Sequence, residues 1–290
     1  MRIRKAVLPV AGLGTRVLPA TKVVPKELLP IVDKPTLQYI VEEAVEAGIE
    51  EIIFVTSRSK RAIEDHFDTF PELEQTLTKK GKTKELETIH QIQNLAKYVT
   101  VRQGEPLGLG HAVLCAREAV GDEPFVIMLG DEIFAPEEPC LPKMLEVFNQ
   151  YQASVISLFT VAREHISSYG IASVDELASQ IYQVKDLVEK PDAEEAPSDL
   201  AIAGRYIVTP DIFAILEQTK PGRGGEIQLT DALLEQARQG YCYGTHYTGQ
   251  RYDMGTPLGL LTTSIAWALR NPDIAPALRD YMQGILTSNS

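Results

Sequence analysis

"LPVAGLGTRVLPATKVVPKELLPIVDKP", residues 8–35, follows an apolar run at the start of the chain and decides how the rest is read. The window holds two glycines, Gly12 and Gly14, and five prolines, at positions 9, 19, 25, 30 and 35. Before it, residues 5–10 have the composition of a buried strand. After it, Leu37, Ile40, Val41, Ala44 and Val45 recur at the spacing of one helix face, and Gly48 stands where a helix stops. Residues 52–56, IIFVT, then read as a second buried strand. Strand, loop, helix, strand is the opening of an α/β domain with parallel neighbours.

The alternation continues. Helices are expected over 59–67, 111–120, 141–151, 210–218 and 229–239, and from 257 to the end. Strands are expected over 98–103, 125–129, 154–161, 170–174, 181–188, 201–208 and 241–247. Residues 71–96 read as a charged helical excursion broken at "KKGKTK". No repeat or low-complexity segment is present.

At 290 residues the chain is long enough for one large domain or a domain with a small appendage. Its 44% apolar and 23% charged content is that of an ordinary globular protein. No apolar run is long enough to cross a membrane, and the N-terminal apolar stretch leads into a turn instead of a cleavage site. Three cysteines without pairing or metal spacing fit a reducing compartment, so a cytoplasmic location is expected. The net charge of −12 argues against nucleic acid as a partner. Residues 1–34 run against that balance, with seven basic side chains and two acidic ones. A positive loop on an acidic protein points to a small anionic ligand held in one place.

The loop has the parts for that task. Ligands of open α/β sheets lie beyond the carboxyl ends of the strands. Gly12 and Gly14 let the backbone approach a ligand and present its N–H groups. Arg16 brings a planar fork that matches phosphate oxygens, Lys26 brings a point charge, and the prolines stiffen the path. It is not a dinucleotide fingerprint, because Val17 stands where the third glycine belongs, and it lacks the Gly-Lys-Ser/Thr of a P-loop.

Other residues suggest chemistry with less force. Asp131 follows the hydrophobic run "FVIML" and sits where a carboxylate can hold a hard cation, although a turn aspartate after glycine is common. Gln103, in "VRQGEPLGLGHA", offers a donor and an acceptor that suit the imide edge of a base, and Gly108 and Gly110 remove side chains from a flat ligand's path. His111, at a helix start, reads as structural. Glu189 and Lys190, in "VEKP", read equally as hydroxyl and phosphate ligands or as a surface ion pair.

Taken together, "PVAGLGTRVLPATKVVPKELLPIVDKP" resembles the first motif of the sugar-1-phosphate nucleotidyltransferases, most closely the bacterial members that use UTP and glucose 1-phosphate. The resemblance runs on through "HFDTFPELE", "VRQGEPLGLGHAVLCA", "YGIASV", "VEKP", "AIAGRYIVTPDIF", "GGEIQLTDAL" and "YDMGTPLG", to about residue 265. It implies a Rossmann-like three-layer α/β fold around a central mixed, mainly parallel sheet. It also implies a catalytic domain over 1–265, with 71–96 as a helical insertion and 266–290 as a C-terminal helical extension. It implies uridylyl transfer from UTP to glucose 1-phosphate with Mg²⁺, in a homodimer or homotetramer. By the same resemblance Ala11, Gly12, Gly14, Thr15, Gln103 and Gly108 bind the nucleotide, Arg16, Lys26 and Lys190 act in catalysis, and Asp131 and Asp253 hold the metal. Tyr169, Gly170, Glu189, Lys190 and Gly204 bind the sugar phosphate. Glu132 is given no ligand role and Glu226 closes the sugar pocket, while Thr230 and Asp231 read equally as part of that pocket or as a helix-start and packing feature.

Overall fold

Buried β-branched and apolar runs set the frame. A computed structural model describes residues 2–288; residues 1, 289 and 290, at the ends of the expected domain and extension, lie outside it. In chain order the strands are β1 (Lys5–Pro9), β2 (Pro30–Ile31), β3 (Lys34–Pro35), β4 (Glu51–Thr56), β5 (Lys97–Arg102) and β6 (Phe125–Met128). They continue with β7 (Glu132–Phe134), β8 (Ser154–Thr160), β9 (Gly170–Ala178), β10 (Ile181–Glu189), β11 (Leu200–Val208), β12 (Cys242–His246) and β13 (Arg251–Asp253). Nine of them make one sheet in the order β5-β4-β1-β6-β11-β8-β12-β10-β9; β2 pairs with β3, and β13 with β7.

Side-chain alternation builds three layers. Ala6, Leu8, Ile52, Phe54, Val126 and Met128 point to one face, where the helices Thr36–Glu46 and Cys140–Tyr151 cover them. Val7, Ile53, Val55, Phe125 and Ile127 point to the other, under helices Leu109–Cys115, Ile212–Gln218 and Leu229–Arg238. The sheet is mixed as expected, but parallel pairing is not the majority. β5, β4, β1 and β6 run parallel, as do β8 and β12, while β11 and β10 pair antiparallel with their neighbours. Parallel order follows the helical crossovers of the N-terminal half. Later in the chain β9 and β10 form a hairpin, which makes antiparallel neighbours.

Most expected elements lie within a few residues of their predicted ends. The stretch 111–120 divides into Leu109–Cys115 and Arg117–Val120, and 71–96 into helices Pro71–Lys79 and Thr83–Gln93 with Gly81 at φ +66° between them. The short β2, β3, β7 and β13 gave no sequence signal. Two or three residues carry no measurable alternation.

The chain leaves β1 to build β4 on one side, then returns to build β6 on the other. That reversal is a topological switch point, where the carboxyl ends of two parallel strands open a crevice. The loop of residues 10–35 leaves one of those ends and Asp131 follows the other, so topology brings them together.

Candidate active site

The first loop is stiffer than a plain connector. Three single 3₁₀ turns, Thr15–Val17, Ala20–Lys22 and Lys26–Leu28, carry Thr15, Arg16 and Lys26. Gly14 is left-handed (φ +66°), and a Cβ there would come 3.2 Å from the Cβ of Lys26. Thr21 Oγ1 donates to the Gly14 carbonyl at 2.7 Å and closes the turn. Gly12 differs: nothing lies within 4 Å of its missing Cβ, so the side of the loop next to Ala11 is open. Gly14→Ala is therefore expected to cost about 1–3 kcal/mol through its backbone conformation and to displace Lys26. Thermal melts paired with assays will show both effects; an unchanged melting temperature contradicts the reading.

Lys26 Nζ donates to Asp131 Oδ2 at 2.5 Å, and an Arg16 guanidinium nitrogen lies 3.7 Å from the same oxygen. Burial pushes the Asp131 carboxyl up, but the Lys26 charge and hydrogen bond, with Arg16 behind them, outweigh it and hold the group below the usual carboxylate range. The carboxylate is thus ionised throughout the neutral range, and the ion pair is lost only as pH falls through the lowered value. Asp253 reaches the same place from the far end of the chain. β13 pairs with β7 so that Asp253 lies opposite Glu132, and Met254 N–H donates to the Asp131 carbonyl at 2.7 Å. Asp253 Oδ1 accepts from Gly255 N–H at 2.7 Å. Arg16, Asp131, Asp253, Tyr169 and Gly204 line one cavity of about 430 Å³.

A second group stands on the β9–β10 hairpin. Gly170 is paired with Glu189, and a Cβ on Gly170 would lie 3.2 Å from Glu189 Oε2. Thr230, left open in the sequence between the pocket and a helix start, donates to Glu189 Oε2 at 2.6 Å and fixes it. Lys190 Nζ lies 3.3 Å from Glu189 Oε1, and its N–H donates to the Tyr169 carbonyl at 3.0 Å. Lys190 is held at φ +47°, a conformation that costs a non-glycine residue about 1 kcal/mol or more.

Charged groups that gave no usable sequence signal brace this site. Arg251 donates to Glu132 at 2.6 Å and to the Tyr169 hydroxyl at 3.2 Å, with its guanidinium 3.7 Å above the Phe159 ring. Glu132 is thereby paired with Arg251. Burial raises its carboxyl above the usual range against the pull of Arg251 and Arg205. Arg205 is fully buried; it grips Glu43 through two nitrogens and donates to the carbonyls of Leu129, Glu132 and Gly204. Lys60 and Glu27, also buried, pair at 2.6 Å beneath the turn that carries Lys26.

Gln103 and Gly108 stand apart from that cavity, at the carboxyl end of β5. Both glycines are required by protein packing. A Cβ at Gly108 would meet Glu226 Cβ and the Ile227 carbonyl at 2.7 Å, and one at Gly110 the same carbonyl at 2.8 Å. Close packing of residues 226–228 by itself excludes side chains at both positions. The Gln103 amide nitrogen lies 3.1 Å from the Gly108 carbonyl and 3.1 Å from His111 Nδ1.

Among the described residues no three His, Cys, Asp or Glu side chains converge as a closed metal cage. Two carboxylates on one cavity suit a hard cation that takes its other ligands from phosphate and water. No described helix is long and apolar enough to cross a membrane, and Cys115, Cys140 and Cys242 are all free.

The chain is similar to proteins of known activity. The nucleotidyl transferase family profile matches residues 5–267. A UTP–glucose-1-phosphate uridylyltransferase of Bacillus subtilis (strain 168) is 52% identical over 289 residues, 98% of each chain. A crystal structure of UDP-glucose pyrophosphorylase complexed with UDP-glucose superposes with a TM-score of 0.84 at 44% identity, covering 93% of this chain and 100% of that one. A UTP-bound enzyme from Acinetobacter baumannii gives 0.89 at 41% identity, over 98% and 99% of the two chains. With a family match across nine-tenths of its length and a cationic turn facing two carboxylates, the chain belongs to the nucleotidyl transferase family.

Proposed function

We propose that the chain transfers a uridylyl group from UTP to glucose 1-phosphate, giving UDP-glucose and pyrophosphate. The observation that carries the reading is the convergence of Arg16, Lys26, Asp131 and Asp253 on the crevice between β1 and β6. The B. subtilis relative's name and the ligands of the two solved neighbours support the choice of substrates.

In the reaction a sugar phosphate oxygen attacks the α-phosphorus of UTP. A new P–O bond forms as the bond to the β-phosphate oxygen breaks, and pyrophosphate leaves on the opposite side. The attacking oxygen is already anionic near neutral pH, so positioning and charge neutralisation supply the catalysis. Arg16 holds the leaving pyrophosphate, Lys26 the transferring or leaving phosphate, and Lys190 the incoming one. The N–H groups of Ala11, Gly12, Gly14 and Thr15 cradle the triphosphate, and Gln103 beside Gly108 meets the uracil. Glu189 accepts from sugar hydroxyls, with Tyr169, Gly170 and Gly204 completing that pocket. Asp131 and Asp253 would hold Mg²⁺, which when bound supplies Lewis-acid neutralisation of the α-phosphate.

We place the catalytic unit at 1–265, with the helical segments 71–96 and 266–290 added to it, in a cytoplasmic homodimer or homotetramer. Lys190→Ala is expected to raise KM for glucose 1-phosphate and lower kcat while UTP affinity holds. Equal loss of both affinities contradicts the role. The reading as a whole is tested by pyrophosphate release from purified protein with UTP, dTTP, glucose 1-phosphate and galactose 1-phosphate in all pairings. UTP with glucose 1-phosphate is expected to lead; no release from any pair overturns it in favour of a nucleotide-sugar sensor.

A further inference from the structure

His111 is half-buried on the first turn of helix Leu109–Cys115, and the assignments above give it no task. Its surroundings fix its protonation by elimination. The Gly108 carbonyl can only accept, so the Gln103 atom 3.1 Å from it must be the amide nitrogen. The same nitrogen lies 3.1 Å from His111 Nδ1, which must therefore be the acceptor and carry no proton. The ring proton then sits on Nε2, which faces the Cys115 sulfur at 3.8 Å, a weak acceptor. Both hydrogens of the Gln103 amide are thus consumed inside the protein. The oxygen is left over. Gln103 is 7% exposed, and its Oε1 is not among the sealed polar atoms without partners, which are Glu27 Oε1, Ser57 Oγ and Gln236 Oε1.

We propose that His111 is a positioning residue for base selection: it holds Gln103 so that only a carbonyl oxygen meets the base. An acceptor fixed there takes a pyrimidine with a protonated N3, as in uracil or thymine, and refuses cytosine, whose N3 is itself an acceptor. Two lone pairs then face each other, and the amide cannot turn over to relieve them. A turned amide would set its oxygen against the Gly108 carbonyl and against Nδ1. This inference rests on the uridylyl-transfer reading, and it narrows which residue sets the base preference.

The test compares UTP with CTP as substrate for the full-length chain. His111→Leu keeps the bulk and removes the acceptor. It is expected to lower the UTP-over-CTP ratio of kcat/KM about tenfold, the worth of one hydrogen bond of roughly 1.4 kcal/mol. His111→Asn sets an acceptor oxygen in place of Nδ1 and is expected to restore the ratio to within about threefold of wild type. A role in folding alone would lower both substrates together and leave the ratio fixed. That result overturns the inference, as does an Asn variant no better than Leu. A second readout needs no variant. Nitrogen-15 NMR of the wild-type chain is expected to find His111 as the neutral Nε2–H tautomer, and an Nδ1–H tautomer overturns the inference. If wild type releases no pyrophosphate from UTP, the uridylyl-transfer reading fails instead, and the tautomer measurement still decides the Gln103 geometry.

Discussion

Lys26→Met is expected to lower kcat by at least about a hundredfold, the usual worth of one preorganised electrostatic group at a reacting phosphate. Lys26 Nζ is the nearest cation to Asp131, at 2.5 Å, while Arg16 stands farther off with 64% of its side chain exposed. Among the described residues, only Lys26 and Arg16 pair with Asp131. The substitution has a second consequence. Burial is the largest influence on Asp131 and pushes its carboxyl up; Lys26 is the main force holding it down. Without Lys26 the carboxyl pKa rises, so the group stays protonated to higher pH, and the acid limb of the rate profile should move toward neutrality. Steady-state kinetics from pH 4 to 8 will show both effects. A loss of less than about tenfold with an unmoved acid limb removes Lys26 from the mechanism.

Arg205→Met should be the most destabilising single change around the site, by about 3–5 kcal/mol, because it strands a partner carboxylate and several buried acceptors. Arg205 has no exposed side-chain surface, and Glu43 is its bidentate partner. Its remaining nitrogen, Nη1, donates to the carbonyls of Leu129 and Gly204, and Nη2, shared with Glu43, donates to that of Glu132; these residues frame Asp131. The loss should therefore appear in activity as well as in stability. Replacing Glu43 by Gln in the same chain removes the stranded charge and should recover part of the loss. Denaturant unfolding measures it, and a cost under about 1 kcal/mol for Arg205→Met contradicts the account.

These two residues mark the limits of what the sequence can tell. Lys26 was legible because its signal is local: glycines, prolines and basic side chains crowd one loop after one strand. The three layers were legible because alternation in β1, β4 and β6 and helical spacing in 36–47 are local as well. Asp253 could be named only through resemblance, and Asp131, visible after an apolar strand, was told from a common turn aspartate only by the same resemblance. Their meeting depends on pairing of β7 with β13, strands of three residues that are 121 positions apart in the register Glu132↔Asp253 and too short for any pattern; Arg251 and Glu132 join by the same pairing. Arg205 was invisible for a different reason. A charged residue inside an apolar strand is expected to turn outward, and only a partner on another element keeps it in. Gly108 was chosen correctly as unusual, but its neighbour was a chain segment more than a hundred residues away.

The central claim is that one triphosphate lies between the cationic turn and the two carboxylates. A crystal structure of the chain with UTP and Mn²⁺, located by its anomalous signal, tests it most directly. The account predicts a single density peak bridging Asp131, Asp253 and the α-phosphate, with Arg16 and Lys26 on the phosphate oxygens. A triphosphate seated away from the 10–35 loop, or a metal ion touching neither aspartate, would contradict it.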